Sequence, residues 1–225
     1  MIDVARIKIG SGGLPSCDRC HAAETPAYRP AAEVIAEIER LSEAQLGAIV
    51  MLAGAEAFMH PELPALIGAA VSSGAQRVGL QTAGALLSVG GNTPGALHAG
   101  VRHFEITFLP GDEAASAGEH DRQLEGVRDL FEAAGRARVK VAISARVHIC
   151  RHTVSRLPEA VADLVAAGVG AVHIATAWSA GMGPSALSSV TAACDTGVVN
   201  AVWVDVVGVA LPSGHAMHEL STVRT

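Results

Sequence analysis

The chain has 225 residues, half of them hydrophobic, with 16 basic against 22 acidic side chains and a net charge of -6. That length suits one α/β barrel-type domain with a large core. The acidic balance, the lack of a basic block and an aromatic content of 3% argue against a nucleic-acid surface.

No apolar run approaches the roughly 18 uncharged residues of a membrane span. The opening MIDVARIKIG carries charges and has no cleavable apolar region. The expectation is a cytoplasmic protein with neither membrane nor nucleic acid as partner. Of the four cysteines, Cys17 and Cys20 are clustered, whereas Cys150 and Cys194 are scattered. In a cytosolic chain this pattern suggests metal or redox chemistry rather than a disulfide framework. Cys194, in an apolar helical pattern, reads as a buried small hydrophobe.

Strand-like and helix-like segments alternate along the chain. A strand at Ala5–Gly10 leads into an irregular stretch, Gly10–Arg29, and a helix at Pro30–Leu41. A strand at Gly47–Gly54, a helix at Pro61–Ser73 and strands at Arg77–Thr82 and Arg102–Leu109 follow. Beyond the irregular stretch Phe108–His120 come a helix at Asp121–Gly135, a strand at Val139–His148 and a helix at Leu157–Ala167. A strand at Ala171–Trp178, a helix at Pro184–Cys194 and a strand at Ala201–Val207 complete the series. Pro30, Pro61 and Pro184 stand where a first helical turn accepts proline. Gly74, Gly135 and Gly168 stand where a left-handed cap is wanted. Such repetition implies a parallel sheet with right-handed crossovers. The expected organisation is one barrel domain over 1–212 and a loop or tail over 213–225.

Strands covered by helices on both faces should be continuously apolar, yet several here alternate. Phe104, Ile106 and Phe108 oppose His103, Glu105 and Thr107. Ile143, Ala145 and Val147 oppose Ser144, Arg146 and His148, and Ile7 and Ile9 oppose Arg6 and Lys8. Val204 and Val206 oppose Trp203 and Asp205, and His173 lies between Val172 and Ile174. An antiparallel sheet with one wet face would explain the alternation, but the intervening helices demand crossovers. A closed eightfold barrel fills its interior with branched aliphatics. The pattern therefore predicts an open, partial (β/α)6-type barrel with a polar lumen able to hold a polar ligand.

The first strand is followed by GSGGLPSCDRCHAAE, with Cys17 and Cys20 two residues apart in a loop at the strand's carboxyl end. After the second strand comes GAEAFMHP, after the third LQTAGALLS, and the fourth runs FEITFLPGDEAASAGEHD. In order and spacing, from about Ile7 to about Val207, this resembles the core domain of the radical S-adenosylmethionine (SAM) superfamily. That family holds a [4Fe–4S] cluster on three cysteines, and Cys17 and Cys20 match the second and third; the first is replaced by Gly13. Gly54, Ala55, Glu56 and Ala57 fall on the Gly-Gly-Glu-Pro segment that receives the SAM amino group, with alanine at two of its places. Ala83 stands where asparagine is usual. The resemblance further implies Thr107 and Arg146 as SAM-contacting residues, Arg146 toward its carboxylate.

Glycine has no side chain with which to replace a thiolate, and three readings of the metal site follow. The cluster is lost; or a further ligand comes from His148, Cys150, His152 or His21; or Cys17 and Cys20 hold zinc with histidines. Cys17–His21 also spells C-x-x-C-H, a haem-attachment pattern that normally requires export. The main expectation is a degenerate radical SAM-like protein without radical catalysis. It would act as partner or scaffold of a related active enzyme, with natural-product biosynthesis as a conceivable setting, and would hold no cofactor. The alternative is an enzyme using SAM and an atypically ligated cluster, or cofactor-independent chemistry by His103, Glu105, His148 and His173 around Arg146. His103 and Glu105 are then an acid–base pair two residues apart; equally, lumen residues satisfy one another. Lys8 and Lys140 are candidates for a Schiff-base lysine, with Lys140 at the wrong end of its strand for barrel chemistry. His98, His120, His215 and His218 read as loop or surface histidines.

Overall fold

The computed structural model describes residues 4–12, 26–44, 49–108, 110, 117–149, 153–177 and 202–207. Strand β1 (Val4–Lys8) alternates exposed Arg6 and Lys8 with buried Ala5 and Ile7, so one face turns to helices and the other to the lumen. A short antiparallel pair follows, β2 (Gly10–Ser11) with β3 (Ala27–Tyr28), inside the stretch read as irregular. Helix α1 (Ala31–Ala44) starts where the Pro30 carbonyl accepts from Glu33 and Val34 N–H. Its buried Ala31, Val34 and Ile38 recur at helical spacing.

The remaining strands are β4 (Ile49–Ala53), β5 (Arg77–Thr82), β6 (Val101–Phe108), β7 (Ala142–Ile149), β8 (Ala171–Ala177) and β9 (Val202–Val207). Together with β1 they form one sheet in the order β1-β4-β5-β6-β7-β8-β9, each neighbour parallel to the next. The sheet curls into a partial barrel with β1 and β9 at its edges. The expected α/β partial barrel is therefore present, with seven parallel strands in its sheet. Among the described residues the helices between strands are α2 (Leu63–Ser72), α3 (Asn92–Ala99), α4 (Ala117–Ala137) and α5 (Leu157–Ala166), besides α1.

The core lies between helices and the convex face. Phe104, Ile106 and Phe108 of β6 are wholly buried there, with Ile143, Ala145 and Val147 of β7 and Leu124, Val127 and Leu130 of α4. Burying side chains of this size contributes about 1.5–3 kcal/mol each. A Cβ on Gly79 would come within 2.6 Å of Met51 Cε, so the absent side chain makes room for the buried Met51, which is in register with Arg6.

Two local expectations change. Gly135 does not cap α4: the helix runs to Ala137 and Arg138 takes the left-handed conformation, φ 55°. The Val139 N–H then bonds back to the Ala134 carbonyl, the closure that left-handed helix ends make. Gly168 does cap α5, with φ 95° and the matching bond from Val169 N–H to Leu164 O. Helix α3 was unforeseen because its sequence, NTPGALHA, opens with residues that normally punctuate turns. The expected helix at Pro184–Cys194 and the tail at 213–225 lie outside the described residues. Among the described residues no helix is long and apolar enough to cross a membrane.

Candidate functional site

Carboxyl ends of strands β1, β4, β5, β6 and β7 converge on a cavity of about 380 Å³ lined by Arg6, Lys8, Ala53, Gly54, Gln81, Thr107, Arg146 and His148. Alternation places these side chains. Arg6 and Lys8 point inward because Ala5 and Ile7 point outward, and Thr107 and Arg146 are register partners on adjacent strands. Gly54 has φ 95°, and a Cβ there would lie 2.8 Å from Gly10 O and 2.9 Å from Lys8 Cγ. The Lys8 stem therefore passes directly against the Gly54 backbone, which needs glycine there both for conformation and for space.

One carboxylate organises the cations. Glu105 accepts a two-pronged bond from Arg6, with Nη1 to Oε2 at 2.9 Å and Nη2 to Oε1 at 2.6 Å. Arg146 Nε lies 3.5 Å from Glu105 Oε1, beyond a good hydrogen bond, and is buried without a hydrogen-bond partner. Burial opposes ionisation of Glu105, but the Arg6 hydrogen bonds and charge, with Arg146 and His103, outweigh it and hold its carboxyl below the usual range. The Glu105 bond in turn raises the Arg6 guanidinium above its ordinary value, against the effect of burial. His103 sits lower in the lumen, its Nε2 2.9 Å from Ser144 Oγ, and burial pushes its imidazole down despite the nearby Glu105 charge.

A second chain of bonds runs across the rim. Gly54 N–H donates to Gln81 Oε1 at 2.8 Å, and Gln81 Nε2 donates to Thr107 Oγ1 at 3.0 Å. Gln81 is thereby fixed in one orientation, and Thr107 receives a bond while keeping its own hydroxyl proton to donate.

Behind the rim, Glu56 joins two loops. Its carboxylate accepts from Phe58 N–H at 3.1 Å, Thr82 Oγ1 at 2.8 and 3.0 Å, and Ala83 N–H at 2.5 Å. Burial raises its carboxyl above the usual range, while the bonds from Ala83, Thr82 and Phe58 oppose that. Gln123 of α4 donates to Ala83 O at 2.6 Å and Thr107 O at 3.0 Å, holding the ends of β5 and β6 together. Close packing makes this possible: a Cβ on Gly126 would lie 2.2 Å from Gly84 O.

Of the residues expected at the site, Gly54, Thr107, Arg146 and His148 line the cavity, and Glu105 braces it through Arg6. Ala55 is buried in the hydrophobic core, and the Glu56 carboxylate is directed at the β5 loop rather than at the lumen. His103 bonds to Ser144, so the imagined acid–base partners each bond elsewhere; His173 is the register partner of Arg146 on β8. Cys17, Cys20, Gly13, His21, Cys150 and His152 lie outside the described residues. Among the described residues no group of three or more His, Cys, Asp or Glu side chains is arranged to hold a metal ion. Sequence reasoning did not choose Arg6 or Gln81 as site residues and considered Lys8 only as a Schiff base. The signal for Arg6 was its place opposite Ile7; that for Gln81 was a polar residue inside an otherwise buried strand. Gln123 carried no signal.

No protein-family model matches the chain, and no curated protein matches it in sequence. Solved structures do match it in shape. SuiB from Streptococcus suis, bound to S-adenosylmethionine, superposes with a TM-score of 0.64 at 13% identity, covering 92% of this chain and 50% of SuiB. The fold is radical SAM-like. SuiB bound to its precursor peptide SuiA matches with a TM-score of 0.57 at 13% identity, over 78% of this chain and 39% of that one. The HMG-CoA lyase from Brucella melitensis matches at 0.54 and 14% identity, over 90% of this chain and 80% of the lyase. The radical SAM-like barrel here spans about half the length of SuiB, and at these identities the likeness is one of architecture.

The resemblance implies two groups, SAM and a [4Fe–4S] cluster. For a SAM carboxylate there is a match: the buried Arg146 Nε lacks an acceptor, and Thr107 beside it has a proton to donate. For a three-thiolate [4Fe–4S] cluster the sequence offers Cys17, Cys20 and Gly13 at the matching places, and these lie outside the described residues.

Proposed function

We propose that this chain keeps the radical SAM-like barrel as a ligand-holding frame without radical catalysis, and serves as partner or scaffold subunit of a related, active enzyme. The observation that carries the reading is the fate of Glu56. It is the acidic residue of the segment that resembles the SAM amino-group site, yet both carboxylate oxygens are taken by Phe58, Thr82 and Ala83. Gly13, Ala55, Ala57 and Ala83 support the same conclusion, because four positions expected around one cofactor depart from the family pattern together.

Co-expression tests it. With a three-cysteine radical SAM protein as the co-expressed candidate partner, the expected result is a stoichiometric complex through size-exclusion chromatography and higher activity of that protein in the complex. Separate elution, or cleavage of SAM by this chain alone, would overturn it.

A second reading is favoured by the Arg146 Nε: the lumen binds SAM through Arg146 and Thr107, with a further protein ligand completing an atypical cluster. SAM would then supply radical chemistry, and this chain's Arg146 and Thr107 would bind and orient its carboxylate.

A further inference from the structure

The lumen carries more positive charge than a single bound carboxylate would answer. Arg6, Lys8 and Arg146 bring three cations to one cavity, and among the described residues Glu105 is the carboxylate that faces them, so two positive charges stay uncompensated within that described set. The Glu105 carboxylate is itself occupied by the two-pronged Arg6 bond.

What remains at the rim is donors. Arg146 lines the cavity, and its contact to Glu105 is the long 3.5 Å one from its buried Nε. Thr107 accepts from Gln81 and so has its hydroxyl proton to give. The Lys8 ammonium makes no hydrogen bond or ion pair among the described residues, and its stem is held against Gly54. The Gly54–Gln81–Thr107 chain fixes the polarity of that rim, so Thr107 presents a donor. A cluster of donors with surplus positive charge in a partly enclosed cavity favours an anionic oxygen ligand, and low local dielectric strengthens each contact.

We propose that the lumen binds a small molecule through a dianionic oxygen group, a phosphate or a pair of carboxylates, held by Lys8, Arg146 and Thr107. This rests on the reading that the barrel is kept as a ligand-holding frame. Two negative charges match the surplus among the described residues; a single carboxylate would leave one of those cations uncompensated.

The experiment is calorimetric titration of the full chain, in a zwitterionic buffer at low ionic strength, with malonate, inorganic phosphate and acetate. Saturable binding of malonate or phosphate is expected, at least about tenfold tighter than acetate. Lys8→Gln should weaken it by about tenfold, the scale of one charge-assisted contact. Lys8→Arg, which keeps the charge, should retain it. Lys140→Gln removes the same charge at an exposed position on the amino-terminal side of β7 and should change nothing. Circular dichroism of each variant checks that the fold persists. The proposal is overturned if neither dianion saturates, if acetate binds as tightly, or if Lys140→Gln costs as much as Lys8→Gln. Loss of dianion binding with the partner complex intact would refute only the ligand class. Loss of the complex with dianion binding intact would refute only the partner role.

Discussion

Replacing Glu105 by glutamine keeps its shape and removes the charge that holds the lumen cations together. In the native chain its side chain is 10% exposed, Arg6 is 38% exposed, and the two share bonds of 2.6 and 2.9 Å. Breaking a fully buried pair costs about 3–5 kcal/mol and breaking an exposed one less than about 1 kcal/mol. With Arg6 more than a third in water, Glu105→Gln should cost about 2 kcal/mol at pH 7. For a chain of this size that lowers Tm by about 4–8 °C.

Urea unfolding followed by circular dichroism measures it, and a cycle with Arg6→Gln should return a coupling of about 1–2 kcal/mol. Because the folded carboxyl lies below its unfolded value, this stability is present above the ordinary carboxylate range and lost as pH falls through the folded value. The gap between native and variant should therefore close in acid. Added salt should narrow it too, since the variant leaves three cations facing one another. A variant within about 0.5 kcal/mol of the native chain, or a coupling near zero, would refute the ion-paired lumen.

Other expectations follow from the same geometry. Carbon-detected titration should place the Glu56 carboxyl above and Glu105 below the ordinary glutamate value of about 4.3. Glu56 then favours folding when protonated, a contribution lost as pH rises through its raised value; the reverse order would contradict the two environments. Gly135→Ala should stabilise by about 0.5–1 kcal/mol in thermal melts, because Gly135 is interior to α4 and an added Cβ meets nothing within 4 Å. Gly126→Ala should destabilise by about 1–3 kcal/mol or more, because its Cβ meets the Gly84 carbonyl. Equal effects at the two glycines would mean that α4 is wrongly placed against the β5 loop.

Much of the barrel was legible because period-two alternation survives where one strand face meets helices and the other a polar lumen. Phe104, Ile106 and Phe108 are wholly buried, and Arg6, Thr107 and Arg146 reach the cavity from the opposite face. Helix α3 was hidden by its proline and glycines, and the end of α4 was misplaced because Arg138, not a glycine, takes the left-handed turn. Site residues were legible as lumen-facing but not by role. Whether Glu56 faces a ligand or a neighbouring loop depends on how the loop after β4 turns, and one strand's pattern carries nothing about the Thr82 and Ala83 groups that meet it. Gln123 and Gly126 act through contacts with distant loops and leave no local trace.

The proposed function requires that position 13 leave the cluster short of a ligand. Anaerobic iron–sulfur reconstitution of the native chain and of Gly13→Cys, with iron and sulfide counted per chain, tests it most directly. Substoichiometric iron is expected in the native chain and a full [4Fe–4S] complement once the third thiol is restored. A full cluster on the native chain, unchanged by Gly13→Cys, would contradict it.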